Sequence, residues 1–209
     1  MPSSLADIKS VRPFKKVSAL TTSDENFGLW NQKAWAKLCI EVGCGAGMHP
    51  IRWAQQNPDS GLVALERTKE KFESFKGRLQ SHDLKNIHAV NEDGLYWLPE
   101  NIKTQTVDEY FFLYPNPYPK EDQANKRWHR SSLMHFILET LKPKGLIHFA
   151  TNETWLAEEG KNYFLNYWQL SLLKETSLLQ VQGFQPRTHF EKKYLSRNES
   201  CKNFVFQKN

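Results

Sequence analysis

Hydrophobic residues in the first three quarters of the chain fall in short runs, at residues 36–42, 62–66, 86–91, 107–114 and 146–151. Runs of this length, bounded by turn-forming residues, predict strands buried on both faces of a sheet. Stretches of mixed polarity between them, at residues 48–56, 68–82, 95–98 and 131–141, predict helices. Pro50 falls in the first turn of its helix, where a missing N–H is tolerated, and Thr68 suits an N-cap. Asn57-Pro58-Asp59-Ser60-Gly61 and Lys142-Pro143-Lys144-Gly145 read as turns. Strands alternating with helices imply an α/β fold, a mostly parallel sheet with helices on both faces. In such sheets the ligand crevice lies outside the carboxyl ends of the strands.

The ends follow this pattern less closely. Residues 1–32 are polar and show no sustained period, so they read as an N-terminal basic arm or cap ahead of one domain, 33–209. Residues 154–173 place Trp155, Tyr163, Phe164, Tyr167 and Trp168 at the spacing of a partly buried helix, which predicts core rings rather than a stacking platform. Residues 178–181, 188–194 and 204–206 read as further short strands.

Composition narrows the class. The 209 residues suit a single domain, and 13% aromatic residues can supply a core although the hydrophobic fraction is only 39%. No apolar run approaches the roughly 18 residues of a membrane span, and residues 1–16 lack the apolar centre of a signal peptide. The three cysteines, Cys39, Cys44 and Cys201, share no metal-ligand spacing. These features predict a cytoplasmic protein with neither disulfides nor a metal site, and Cys44 reads as a small filler. The net charge of +5 is compatible with polyanions. Lys9, Arg12, Lys15 and Lys16 crowd one end, and Arg187, Lys192, Lys193, Arg197, Lys202 and Lys208 the other. Lys120, Lys126, Arg127, His129 and Arg130 form a third basic group, read as phosphate-binding, with Tyr118 and Trp128 available to stack on a base.

The chemistry concentrates at the strand ends. Glu41-Val42-Gly43-Cys44-Gly45-Ala46-Gly47 is a glycine turn between the first strand and a helix, where backbone can approach a ligand closely. Glu66 closes the second strand about twenty residues on, the position from which an acid accepts hydrogen bonds from ribose hydroxyls. Asp93 ends the third strand and suits the adenine side of a nucleoside. The turn has no lysine followed by serine or threonine, which excludes a Walker phosphate loop. Between a dinucleotide and S-adenosylmethionine, Glu41 and the spaced glycines favour the second.

The glycine turn, Glu66, Asn91-Glu92-Asp93, Tyr114-Pro-Asn-Pro-Tyr-Pro-Lys120, Lys126-Arg127, Thr151-Asn152-Glu153 and Thr188-His-Phe-Glu191 occur in an order that resembles the bacterial tRNA (guanine-N7)-methyltransferases, from about Leu38 to the C-terminus. The resemblance implies a Rossmann-like class I methyltransferase with a seven-stranded sheet. It also implies S-adenosylmethionine as cofactor and methyl transfer to a guanosine of the tRNA variable loop. Cofactor binding would fall to Glu41, Gly43, Gly45, Gly47, Glu66, Asp93 and Asn116. Substrate binding would fall to Lys120, Asn152, Thr188 and Glu191, with Asn116 and Asn152 at the catalytic positions. The partner would be tRNA, with no membrane or metal, and the chain would act as a monomer or homodimer.

Three positions depart from the family pattern. Asn116 and Asn152 stand where the family carries aspartates, and Tyr118 replaces a tryptophan. Guanine N7 already presents a lone pair, so no proton need be removed before attack and positioning can lower most of the barrier. A carboxylate would still help by accepting from the guanine Watson–Crick edge and by balancing the cationic product. Two alternatives therefore stay open. One is a divergent relative that methylates another acceptor, and the other is a cofactor-binding relative that serves as an RNA- or partner-binding module.

Overall fold

The computed structural model describes residues 8–16, 23–179 and 185–209. Seven strands form one sheet: β1 (Leu38–Val42), β2 (Gly61–Leu65), β3 (Ile87–Val90), β4 (Val107–Leu113), β5 (Leu141–Thr151), β6 (Ser171–Leu178) and β7 (Cys201–Gln207). Their order is β3-β2-β1-β4-β5-β7-β6. The pairings among β1 to β5 are parallel, while β7 is antiparallel to both β5 and β6. The helices are α1 (Glu25–Asn31), α2 (Met48–Gln56), α3 (Lys69–Gln80), α4 (Gly94–Asn101), α5 (Leu133–Thr140), α6 (Thr154–Asn162) and α7 (His189–Leu195).

Period-two alternation sends the central strands' side chains to two cores. Ile40, Val42, Val63, Tyr110 and Phe112 face a cluster with Phe27 of α1, Trp97 of α4, Met134 of α5 and Leu156 of α6. On the other face Cys39, Leu62 and Phe111 meet Leu195 of α7, and Ala64 meets Ile51 of α2 and Phe75 of α3. Each wholly buried ring, such as Phe112 or Phe75, contributes about 2–3 kcal/mol. The central strands are mostly apolar because both faces are covered, with Glu41 in β1 and Asp108 and Glu109 in β4 as the acidic exceptions.

Several expected elements differ. Residues 188–194 form helix α7 rather than a strand. Thr188 caps it by accepting from Glu191 N at 2.9 Å, so Thr-x-x-Glu has half the reciprocal bonding of a capping box. The long helix expected at 154–173 stops at Asn162, passes through a single π turn at Tyr163–Tyr167, and gives way to β6. Of the strand expected at 178–181 only Leu178 belongs to β6, Leu179 lies past its end, and the last two residues lie outside the described set. Lys142–Gly145 does not separate helix from strand but bulges within β5, where the register jumps and Lys144 takes φ 62°.

The segment read as an N-terminal arm contributes to the packing. Phe27 and Trp30 of α1 join the core. Residues 8–16 lie against the π turn, where the Tyr163 hydroxyl donates to Lys9 O and accepts from Lys9 N, both at 3.1 Å. Tyr163 is thus both a core ring and a clamp.

Candidate functional site

The glycine turn has the backbone its sequence requires, with φ of 81°, 59° and 81° at Gly43, Gly45 and Gly47. Gly43 N and Cys44 N both donate to Leu65 O, at 2.8 and 2.9 Å, which laces the turn to the end of β2. A Cβ at Gly43 or Gly45 would meet nothing within 4 Å, so both Cα atoms border open space. Glu66 stands beside them, buried, with Oε2 accepting from Gly45 N at 2.9 Å and Oε1 from Thr68 N at 2.7 Å. Each carboxylate oxygen keeps a second lone pair, and that pair of acceptors beside an open glycine cradle fits the ribose of a nucleoside cofactor. Cys44 is buried, and burial, with Glu41 and Glu66 nearby, pushes its thiol up, so it remains an unreactive filler.

Glu41 points elsewhere. Its Oε2 meets His49 Nδ1 of α2 at 2.7 Å with both residues buried. His49 also lines a groove with Arg52, Trp53, Phe111, His148 and Arg187. Asp93 is the N-cap of α4, with Oδ1 accepting from Leu95 N at 3.0 Å, while Oδ2 pairs with Arg67 Nη1 at 3.3 Å. The other terminal nitrogen of Arg67 reaches the Tyr118 hydroxyl at 3.5 Å. One exposed arginine thus spans from the acid after β3 to the Pro-rich loop after β4.

That loop is held in an unusual shape. Tyr114 and Tyr118 take φ of 54° and 45°, left-handed values that bulky residues adopt only when their surroundings enforce them. The Tyr114 hydroxyl donates to Glu191 Oε1 at 3.0 Å, and its amide donates to Ala150 O at 2.8 Å. Burial, reinforced by the Glu191 charge, pushes the Tyr114 phenol up and keeps it a donor. Asn116 Oδ1 accepts from Tyr118 N at 3.3 Å and the residue is exposed, as is Lys120. The Arg127 guanidinium donates to Tyr118 O from Nε at 3.1 Å and Nη2 at 3.0 Å.

Arg127, His129 and Arg130 do not form the phosphate site expected of them. Arg127 Nη1 meets both oxygens of Glu159 at 2.7 and 3.0 Å, His129 Nε2 meets Oε2 at 2.7 Å, and Arg130 Nη1 meets Oε1 at 3.0 Å. Arg127 and His129 are buried, so the Arg127 charge and the hydrogen bonds of both are directed inward to brace the loop. Trp128 packs against Phe112 at 5.0 Å between centroids and is not placed to stack on a base. Trp155, expected in the core, is 39% exposed beside the Arg127 guanidinium. Lys120 and Lys126 are the members of this basic group left exposed without an ion-pair partner among the described residues.

The remaining expected site residues divide by burial. Glu191 is fully buried between Tyr114 and Arg187, and Thr188 caps α7, so both shape the rim from beneath. Asn152 is half-buried and its amide donates at 3.3 Å to Glu153 and at 3.3 Å to Glu199. Carboxylate charge thus stands one hydrogen bond from the amide, on Glu199 just ahead of β7. Glu199, Glu159 and Arg67 were not singled out from sequence. Glu159 and Glu199 lie 32 and 47 residues from their partners Arg127 and Asn152, beyond any local pattern. Among the described residues no helix is long and apolar enough to cross a membrane, and no group of three or more His, Cys, Asp or Glu could hold a metal ion.

Comparison with known proteins places this geometry. A family model described as "Putative methyltransferase" matches residues 35–204. The chain is similar to the tRNA (guanine-N(7)-)-methyltransferase of Corynebacterium efficiens, 26% identical over 190 residues, covering 86% of this chain and 71% of that protein. The protein of that name from Nitrosomonas eutropha is 24% identical, with 83% and 77% covered. The one from Thermotoga maritima is 25% identical, with 78% and 51% covered, so the chain spans about half of it. Among solved structures, the 16S rRNA methyltransferase KamB aligns with a TM-score of 0.63 at 17% identity, covering 95% of this chain and 100% of that one. A structure described as an antibiotic related methyltransferase aligns with the same TM-score at 16% identity, with 93% and 98% covered. Likeness at that identity bears on the fold, a Rossmann-like seven-stranded methyltransferase sheet.

Proposed function

The chain belongs to this family of methyltransferases, and from that premise we propose that it methylates N7 of a guanosine in tRNA, with S-adenosylmethionine as donor. The observation that carries the reading is Arg67, which reaches from Asp93 to Tyr118 and so brings the cofactor-side acids and the Pro-rich loop to opposite sides of one side chain. The names of the relatives support the acceptor. When bound, S-adenosylmethionine supplies a methyl group on a sulfonium centre. Glu66 would accept from the ribose hydroxyls, the glycine backbone would let the cofactor approach, and Asp93 would border the adenine. The Pro-rich loop, fixed by Tyr114 and Arg127, would hold the guanine in line. No general base is required of the chain, because N7 offers its lone pair without losing a proton. The amide oxygens of Asn116 and Asn152 would accept from the base edge, while Glu153 and Glu199 balance the positive charge the purine acquires.

Methyl transfer from labelled cofactor to total tRNA, followed by nucleoside analysis, is expected to yield 7-methylguanosine. Cofactor binding without that product would overturn the acceptor. Glu66→Ala is expected to weaken cofactor binding about 10–100-fold by equilibrium dialysis, since it removes an acceptor of ribose hydroxyls and of two backbone amides. Unchanged affinity would refute the ribose role.

The two amides should respond oppositely to an acid. Asn116 is exposed, and Asn116→Asp is expected to raise kcat about three- to tenfold through a charge-assisted hydrogen bond. Asn152→Asp would set a third carboxylate against Glu153 and Glu199, and is expected to lower stability by on the order of 1 kcal/mol without a gain in rate. Steady-state kinetics and urea melts of the two variants separate these outcomes.

A further inference from the structure

The surfaces where positive charge is not neutralised internally include a face on which Lys192 and Lys193 of the C-terminal basic cluster are joined by cations of α2 and α3. Arg78 of α3 contacts the His189 ring of α7, and Arg52 of α2 donates to Pro186 O just ahead of α7. Lys71 of α3 lies 5.8 Å from the Phe190 ring, which is 38% exposed. Lys192 and Lys193 continue along α7, both exposed. Burial holds the His189 imidazole below its ordinary value, and Arg78, Lys192 and Arg52 press it further down. Lys71 and Arg78 are seven residues apart, hence on one stripe of α3 about 10 Å long, whereas Glu70 and Glu73 fall about 100° and 200° round the helix from Lys71. Ion pairs within 4.0 Å neutralise Lys9, Lys37, Arg127, Arg130, Lys142 and Lys161. Among the described residues Arg52, Lys71, Arg78, Lys192 and Lys193 form no such pair.

We infer that this face, built from Arg52, Lys71, Arg78 and Lys192 around the exposed Phe190, is where the phosphate backbone of the RNA acceptor docks. The inference deepens the acceptor reading above and rests on it. Cations contributed by three separate elements without carboxylate partners suit a polyanion, and arginines match phosphate geometry well. An exposed aromatic ring among them can stack on a base or sugar. The face adjoins the candidate acceptor rim, because α7 begins at the Thr188 cap and is tied through Glu191 to Tyr114 at the end of β4. A backbone lying along α3 and α7 would therefore run directly up to the Pro-rich loop.

Filter binding of tRNA to wild type, Arg78→Glu/Lys192→Glu, Lys71→Gln and the control Lys174→Gln across a salt series tests the assignment. The double variant is expected to lose at least tenfold in affinity at moderate salt and to bind with a salt dependence shallower by about one unit of log–log slope per lost contact. Lys174→Gln, on the exposed strand β6, should match wild type, and every variant should retain wild-type cofactor affinity. A double variant with unchanged affinity and slope, or wild type that binds no RNA, would overturn the docking face. So would variants that keep tRNA binding but lose binding to anionic vesicles, which would assign the face to a membrane surface. Lost tRNA binding in the variants, with no 7-methylguanosine from wild type, would support the face and refute the acceptor atom. The reverse pattern would refute the face alone.

Discussion

Gly47→Ala is expected to destabilise the protein by about 3 kcal/mol or more and to abolish cofactor binding. A Cβ on that residue would stand 1.9 Å from Cδ2 of Phe75, a ring with no exposed surface in the α2–α3 core. The backbone there has φ 81°, which adds about 1–2 kcal/mol of left-handed strain for alanine. Relief would require moving either a close-packed ring or the turn itself, and overpacking of this kind costs about 1–3 kcal/mol. For a chain of this length the loss corresponds to a drop in Tm of roughly 6–12 °C. Gly43→Ala makes the informative contrast. Its backbone is equally left-handed, but its Cβ meets nothing within 4 Å and projects into the open space beside Glu66. It should lose about 1–2 kcal/mol of stability while still blocking the cofactor. Thermal melts paired with equilibrium dialysis separate the two. Normal cofactor binding by Gly43→Ala would show that the turn does not cradle the ligand.

Glu159→Gln is the second large effect expected, about 3–5 kcal/mol in urea denaturation, since one carboxylate serves Arg127, His129 and Arg130 and two of these are buried. Burial alone would raise the Glu159 carboxyl, but hydrogen bonds from His129 and Arg130 and the Arg127 charge outweigh it and hold it below its ordinary 4.5. Burial lowers His129 below its ordinary 6.5, more than Glu159 restores it. His129 is thus neutral, donating from Nε2 to Glu159, while Nδ1 is buried without a partner and suits an unprotonated nitrogen. Both folded values lie below the unfolded ones, so the signs agree. Stability is complete above about 6.5, declines below it as unfolded His129 takes up a proton, and falls further below about 4.5 as Glu159 does the same. The variant should keep the first decline and show a shallower second one, since Glu109, which burial would raise but His148 and Lys37 hold down to about 2, still contributes there. A wild-type stability flat from pH 7 to 4 would refute the arrangement. Loss of Glu159 should also loosen the Pro-rich loop, because Arg127 holds Tyr118 O only while its own position is fixed.

The parallel strands were legible because burial makes each a mostly apolar run with a breaker at either end. Ala36 to Val42 and residues 107–114 can be read in no other way within a βα alternation. The C-terminal third misleads. His189-Phe190-Glu191-Lys192-Lys193-Tyr194 has no clear helical face, since α7 buries only Glu191 and Leu195, and the sign that outweighs the weak pattern is Thr188 three residues before Glu191. Glu66 and Asp93 were legible because their positions follow from strand ends. The fate of the cations was not: Arg127 and Lys192 look alike in sequence, and only the fold brings Glu159 to one and no described carboxylate to the other.

Helix α7 would belong to both the proposed docking face and the rim. Lys192 stands on the helix at one side, and Glu191 reaches from its first turn to the Tyr114 hydroxyl at the other. Polymer length would thereby become part of recognition. A lone guanosine would carry the reactive nitrogen but no chain of phosphates to rest on α7, the helix whose Glu191 holds Tyr114. On the proposed docking, a folded RNA would supply both, and the protein would sense the size of its substrate without reading a second base.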